Sequence, residues 1–283
     1  VAVLVAGVCQ MALMQRMLYK IDASLVWRRP HISPAGRQMW RAFIPAALGA
    51  GGLQINLLID MILASLVSVG AISWLYYSDR IVQLPLGVIG IALGTALLPQ
   101  LSKLESEHNK AEVANRLGHS LHIGCFFAIP AAVAVIIIGD VVIGGLFGYG
   151  AFTATDVSMA AASLAAYGVG LPAFVINKTF QPAFFASQRG GLVAKISFLM
   201  IIINVSGSLL LMPVLGHVGL ALATGLASWV SVAIMGVILL REQRLTWQAF
   251  RGPLLVCLAS AVMGVALTVS LSTLSALPYA LFS

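Results

Sequence analysis

The sequence predicts an all-α, polytopic bundle embedded in a membrane, and three observations carry that reading. Of 283 residues, 60% are hydrophobic and only 9% are charged, whereas a soluble domain needs about 25% charged residues to cover its surface. Apolar runs of about 20 residues or more, the length a helix needs to cross the hydrocarbon, recur along the whole chain. The basic residues cluster in every other connection between those runs. Transmembrane β-barrels read as short alternating segments, and no such alternation is seen here.

Taken in order, the apolar runs between charged or turn-rich breaks define eight segments: 1–18, 41–67, 71–101, 118–147, 157–187, 191–213, 217–240 and 252–276. Several exceed what a straight span needs, so tilt or bending is expected, with Pro85, Pro130 and Pro172 as kink points. The chain opens at Val1 inside an apolar run, VAVLVAGVCQMALM, which suggests a piece of a longer protein. That run has no basic n-region and no small-residue cleavage site, so it is not a signal peptide. Cys9, Cys125 and Cys257 all lie in apolar runs and read as small buried hydrophobes.

The basic residues orient the map. Arg16, Lys20, Arg28, Arg29, Arg37 and Arg41 surround the first connection, and Lys103, Lys110 and Arg116 the third. Arg189 and Lys195 lie at the fifth, and Arg241, Arg244 and Arg251 at the seventh. The second, fourth and sixth connections, near Val69, Gly148 and Gly216, hold neither Lys nor Arg. Fourteen of the sixteen basic residues thus fall on one side, the cytoplasmic side by the positive-inside rule. The +7 net charge is then a topology signal, and a nucleic-acid partner is not implied.

Two basic residues break the pattern, because Arg80 and Lys178 lie inside segments. An ionisable group at mid-bilayer is costly and usually lines a cavity or pathway. Other polar residues at depth are Gln54, Asn56 and Asp60 in the second segment and Asp79 and Gln83 in the third. Asn177 and Gln181 follow in the fifth, Asn204 and Ser208 in the sixth and Thr224 in the seventh. Asn56 and Asp60 share a helix face at i, i+4, as do Asn204 and Ser208. For the uncharged ones the plain reading is interhelical hydrogen bonding. Asp79 and Arg80, about 100° apart on a helix, are poorly placed for a simple mutual ion pair.

Several motifs carry no chemistry. Gly87, Gly90 and Gly94 in GVIGIALG follow no strand and open no dinucleotide-binding unit, so they are read as permitting close approach of a neighbouring helix. His119 and His122 sit at a membrane entry without further metal ligands nearby in sequence. The acceptor patterns Asn177-Lys178-Thr179 and Asn204-Val205-Ser206 lie inside segments and are discounted as glycosylation sites. No nucleophilic triad or paired-carboxylate constellation appears at depth, so no enzyme is expected.

The run SDRIVQLPLGVIGIALGTALLPQLS resembles the signature of the MurJ (MviN) lipid II flippases, within the multidrug/oligosaccharidyl-lipid/polysaccharide flippase superfamily. FIPAALGAGGLQINLLIDMILAS and GLPAFVINKTFQPAFFA resemble two further helices of that family. The resemblance implies a two-lobed fold. Residues 1–40 would be the last helix of the N-terminal lobe and a cytoplasmic connection, and 41–250 the C-terminal lobe. Residues 251–283 would begin the lipid-groove helices. It implies that Arg80, with Asp79 beside it, meets the diphosphate of the substrate; Lys178 is a further candidate substrate-binding residue, as an ionisable group at depth. It implies a cation site, for Na+ as coupling ion, at Asp60, Asn204, Ser208, the Leu220 backbone and Thr224. Two departures stand out: Ser208 replaces a second carboxylate of the family site, and RGGLVAK replaces the usual turn after FFASQ.

The function expected from the resemblance is flipping of the undecaprenyl-diphosphate-linked precursor, lipid II, across the bacterial inner membrane by alternating access, by a monomer that also contacts membrane lipids. The alternatives are a drug/cation antiporter or polysaccharide-lipid exporter of the same superfamily, or a non-transporting membrane scaffold.

Overall fold

The computed structural model describes residues 2–20, 36–37, 40 and 56–276. The chain divides into two units, residues 1–43 and 44–283. In the first, one helix is described, α1 (Ala2–Lys20). The second contains a short apolar helix, α2 (Asn56–Val67), and then a long rod. The rod runs as α3 (Ala71–Pro85), a π-helical stretch (Leu86–Ile91) and α4 (Ala92–Ser106). There follow α5 (Lys110–Ile137), α6 (Gly139–Phe147), α7 (Ala154–Ala186), α8 (Gly190–Leu215), α9 (His217–Arg241), a 3-10 turn (Trp247–Phe250) and α10 (Arg251–Ala276). Among the described residues there is no strand. Among the described residues, six helices are long and apolar enough to cross a membrane, the α3–α4 rod counting as one. They correspond to the third to eighth expected segments. The first segment is helical as α1, while residues 41–55 of the second lie outside the described residues.

The expected segment 118–147 needs correction. Asn109 caps α5 by accepting from the Glu112 N–H, so the helix starts eight residues earlier, in a charged turn that an apolar count discards. Twenty-eight residues already span about 42 Å. The helix ends at Ile137, and after the non-helical Ile138, Gly139–Phe147 forms a separate short helix. The cysteines are corrected too. Cys125 is buried, but Cys9 and Cys257 are exposed, because a bundle in lipid presents apolar side chains outward as well as inward.

α7 is the axle of the second unit, packed against α3, α4, α5, α6 and α9. Its most apolar window is 61% buried, against 11% for α8. α7 and α9 approach closely where Gly170 meets Gly225; a Cβ at Gly170 would lie 2.6 Å from the Gly225 Cα, so a side chain there would drive the helices apart. Phe180 and Phe184 of α7 anchor the main core with Leu117 and Leu121 of α5 and Met235 and Leu239 of α9. α10 packs on α5.

The connections sort to two ends. At one end Arg244 donates to Glu105 at 3.0 Å, and Arg189 pairs with Glu242, which ties together the third, fifth and seventh connections. At the other, Trp74 Nε1 donates to Asp156 at 2.8 Å, and the Trp74 and His217 rings lie 4.8 Å apart. This joins the second, fourth and sixth connections. From the second connection to the seventh, the alternation of the basic residues therefore corresponds to a real division between ends of the second unit; the first connection lies largely outside the described residues.

Candidate functional site

The polar residues at depth form three groups of different character. The first is structural. Asn177 of α7 donates to the Ser228 carbonyl at 3.2 Å and accepts from Ser231 at 2.8 Å, cross-linking α7 to α9 in the buried core. Both acceptor-pattern asparagines, Asn177 and Asn204, are buried.

The second group gathers α2, α8 and α9 around Asn204. Its amide donates to Asp60 Oδ1 at 3.0 Å and to Asn56 Oδ1 at 2.9 Å. Its carbonyl accepts from Thr224 Oγ1, which also lies 3.1 Å from the Leu220 carbonyl. Asn56 completes the ring by donating to Asp60 Oδ2 at 3.2 Å. Four of the five expected cation-site residues thus meet in one network. The fifth, Ser208, is fully buried with no hydrogen-bond partner for its hydroxyl. The i, i+4 spacing marks Asn56 as sharing a face with Asp60, but only the packing of α8 against α2 makes it a member of the site. The donors here are all oxygens, with a single carboxylate among them. Such a hard, singly charged set suits a monovalent cation and under-compensates a divalent one. Among the described residues, no three His, Cys, Asp or Glu side chains come together, so a transition-metal centre has no ligand set there.

The third group lies on a single helix, α3. The Arg80 guanidinium sits over the Tyr76 ring, 4.6 Å from its centroid, and donates through Nη1 to Gln83 Oε1 at 3.1 Å. The amide of Gln83 in turn donates to Asp79. Among the described residues no ion pair joins Asp79 to Arg80, so the two charges of this apolar span are bridged by a neutral amide. Tyr76, Arg80 and Gln83 are exposed, on a face of α3 that the second unit leaves uncovered. Gln83 is one of the polar residues at depth noted in the sequence, whereas Tyr76 is not; its i−4 spacing from Arg80 is the available signal.

Lys178 lies elsewhere. Its side-chain stem and carbonyl pack against Gly90 and Gly94, where added Cβ atoms would come within 3.4 and 3.0 Å of it. Those glycines lie about 15 and 21 Å beyond Arg80 along the rod, at 1.5 Å per residue. The structure thus does not group Lys178 with Asp79 and Arg80. Lys178 is half-buried and, among the described residues, has neither a hydrogen bond nor an ion pair. Gly90 and Gly94 admit a neighbouring helix as expected; Gly87 does not, because a Cβ there would meet nothing within 4 Å. Between Arg80 and Lys178 the rod turns π-helical directly after Pro85, which removes a hydrogen-bond donor from the ladder.

A family model described as lipid II flippase MurJ matches residues 1–282. The chain belongs to the MurJ family. It is 39% identical over 266 residues to a probable lipid II flippase MurJ of Rhizobium tropici, covering 93% of this chain and 50% of that protein. A second MurJ relative, from Rhizobium meliloti (strain 1021), is 36% identical over 281 residues, covering 96% of this chain and 51% of the relative. The chain therefore spans about half the length of these curated MurJ relatives. In fold it resembles a solved lipid II flippase MurJ in an inward closed conformation, with a TM-score of 0.73 and 24% identity over 90% of this chain and 53% of that one. It also resembles an outward-facing multidrug resistance MATE family transporter of the MOP superfamily, with a TM-score of 0.62 and 16% identity over 81% and 52%.

Proposed function

We propose that this chain forms one half of the cavity of a lipid II flippase, in which Arg80 receives the diphosphate of the undecaprenyl-linked precursor during alternating access across the bacterial inner membrane. The observation that supports this most is the placement of Arg80: a permanent charge inside an apolar span, exposed on an uncovered helix face, with most of its N–H donors unengaged among the described residues. A guanidinium presents a planar fork that matches phosphate oxygens in pairs, and it does so most strongly where water is scarce. Sugars and phosphates cannot cross hydrocarbon unaided, while the lipid tails need not leave it. Moving the head group past a fixed charge therefore requires no bond chemistry. Lys178 of α7, half-buried and without a partner among the described residues, is a second cation, packed beside the same rod at Gly90 and Gly94. The π-helical stretch between the two offers a point of bending.

The cluster around Asn204 is the proposed seat of a coupling cation, Na+ in this reading. Asp60, Asn204, Thr224 and the Leu220 carbonyl would supply oxygens, and the unpartnered Ser208 hydroxyl would add one. A bound monovalent cation would neutralise the Asp60 carboxylate at depth.

The test is complementation of a flippase-depleted bacterium by the natural full-length gene product. Arg80→Ala should abolish growth at a normal membrane level of protein, and Arg80→Lys should restore it only in part, because an ammonium cannot reproduce the fork. Full growth with a normally expressed Arg80→Ala protein would overturn the assignment. Purified protein that binds a small cationic drug but no lipid diphosphate would place it with the drug antiporters of the superfamily instead.

A further inference from the structure

Arg80 is held by its neighbours on two sides. One turn before it, the Tyr76 ring lies under the guanidinium at 4.6 Å, within the range of a cation–π contact. Three residues after it, Gln83 Oε1 accepts from Nη1 at 3.1 Å. The amide of Gln83 has only one workable orientation: its oxygen alone can accept from a guanidinium, and its NH2 alone can donate to the Asp79 carboxylate. Asp79 thus fixes Gln83, and Gln83 fixes one edge of the Arg80 fork. Tyr76 fixes the plane. All four residues belong to one helix, so the arrangement does not depend on a partner segment.

We propose that Gln83 and Tyr76 are positioning residues that hold the Arg80 guanidinium in one plane and one rotation. The donors left free then face a diphosphate as a ready-made pair. The inference rests on the reading of Arg80 as the diphosphate-binding residue and adds a determinant of selectivity. An arginine on a flexible stem attracts any anion, whereas an oriented fork favours a ligand that offers two correctly spaced oxygens. Ordering the side chain before the ligand arrives also removes an entropic cost from binding. The selectivity for diphosphate over monophosphate is therefore built into α3, at positions that need not touch the substrate.

The experiment uses the natural full-length gene product in lipid nanodiscs. It compares binding of a polyisoprenyl diphosphate with that of the corresponding monophosphate by native mass spectrometry. Wild type should prefer the diphosphate, and Arg80→Ala should set the floor for both ligands. Gln83→Leu should weaken diphosphate binding about tenfold, the scale of one hydrogen bond to a charged group, and collapse the preference towards unity. Tyr76→Phe should keep the preference and Tyr76→Leu should lose part of it. A purely structural role would lower the amount of folded protein without moving the ratio of the two affinities. Wild-type preference in both Gln83→Leu and Tyr76→Leu, with Arg80→Ala defective, would overturn the positioning role and leave the Arg80 assignment standing. Undiminished diphosphate binding by Arg80→Ala would overturn both. Should Gln83→Leu fail to fold, Gln83→Met and the Tyr76 pair apply the same criterion.

Discussion

Two polar groups sit inside apolar helices of this protein, and they are built on opposite plans. Around Asn204, three helices contribute one or two residues each, and every amide finds a partner on another element or one turn away. Around Arg80, one helix supplies all four residues, of which Tyr76, Arg80 and Gln83 are exposed and Asp79 is half-buried. A closed, interhelical cluster spends its hydrogen-bonding capacity on holding the lobe together, with the Ser208 hydroxyl left over. An open cluster spends one donor on orientation and leaves the remainder for a ligand. Similar residue types at similar depth thus serve different ends, and the difference lies in who their partners are.

Stability measurements separate the two plans. Replacing the hub, Asn204→Ala, removes three interhelical hydrogen bonds and leaves the Asp60 carboxylate short of a donor. At about 0.6 kcal/mol for each such bond in a membrane protein, the loss should approach 2 kcal/mol, read as a fall in unfolding free energy in denaturant-titrated micelles. A loss below about 0.5 kcal/mol, the scale of an ordinary surface change, would remove the contrast with Arg80.

The ion cluster at the basic end provides a second comparison. The side chains of Arg244 and Glu105 are 13% and 17% exposed, so Arg244→Ala leaves a carboxylate largely shielded from water without its counter-charge. The expected cost is about 1.5 kcal/mol, between the values for exposed and fully buried pairs. The cost should fall for the double variant Arg244→Ala, Glu105→Gln, which removes both charges.

Sodium sharpens the reading of the Asn204 cluster. A ligand at ten times its dissociation constant stabilises the folded state by about 1.4 kcal/mol. Ser208→Asp, which adds a second carboxylate beside a site with one, should increase the difference in melting temperature between sodium and choline buffers. If sodium has no effect on either protein, the cluster is a structural joint alone. The smallest effect is expected for Arg80→Ala. Its side chain is exposed and holds no other helix, so stability should stay within about 0.5 kcal/mol of wild type. A larger drop would mean that Arg80 braces the bundle.

Composition and the spacing of charge determined a great deal here. A chain with so few charges and such long apolar runs must put most of its side chains against lipid or other helices, so the helical membrane bundle follows from solvation alone. Alternation of the basic connections along the chain likewise determined which connections share an end of the bundle. Conspicuous residues such as Arg80, Asp60 and Lys178 could be picked out because an ionisable group in an apolar run is expensive wherever the helix packs. Their partners could not. Asn204 reaches Asp60 across 144 residues of chain, and Trp74 reaches Asp156 across 82, so those bonds exist only through the packing of α2, α8 and α9 and of α3 and α7. The separation of Lys178 from Arg80, the break in the helix at Ile138 and the uncovered face of α3 were decided in the same way. Hydropathy fixes which stretches leave water, but which side chains then face one another depends on the rotation and register of whole helices.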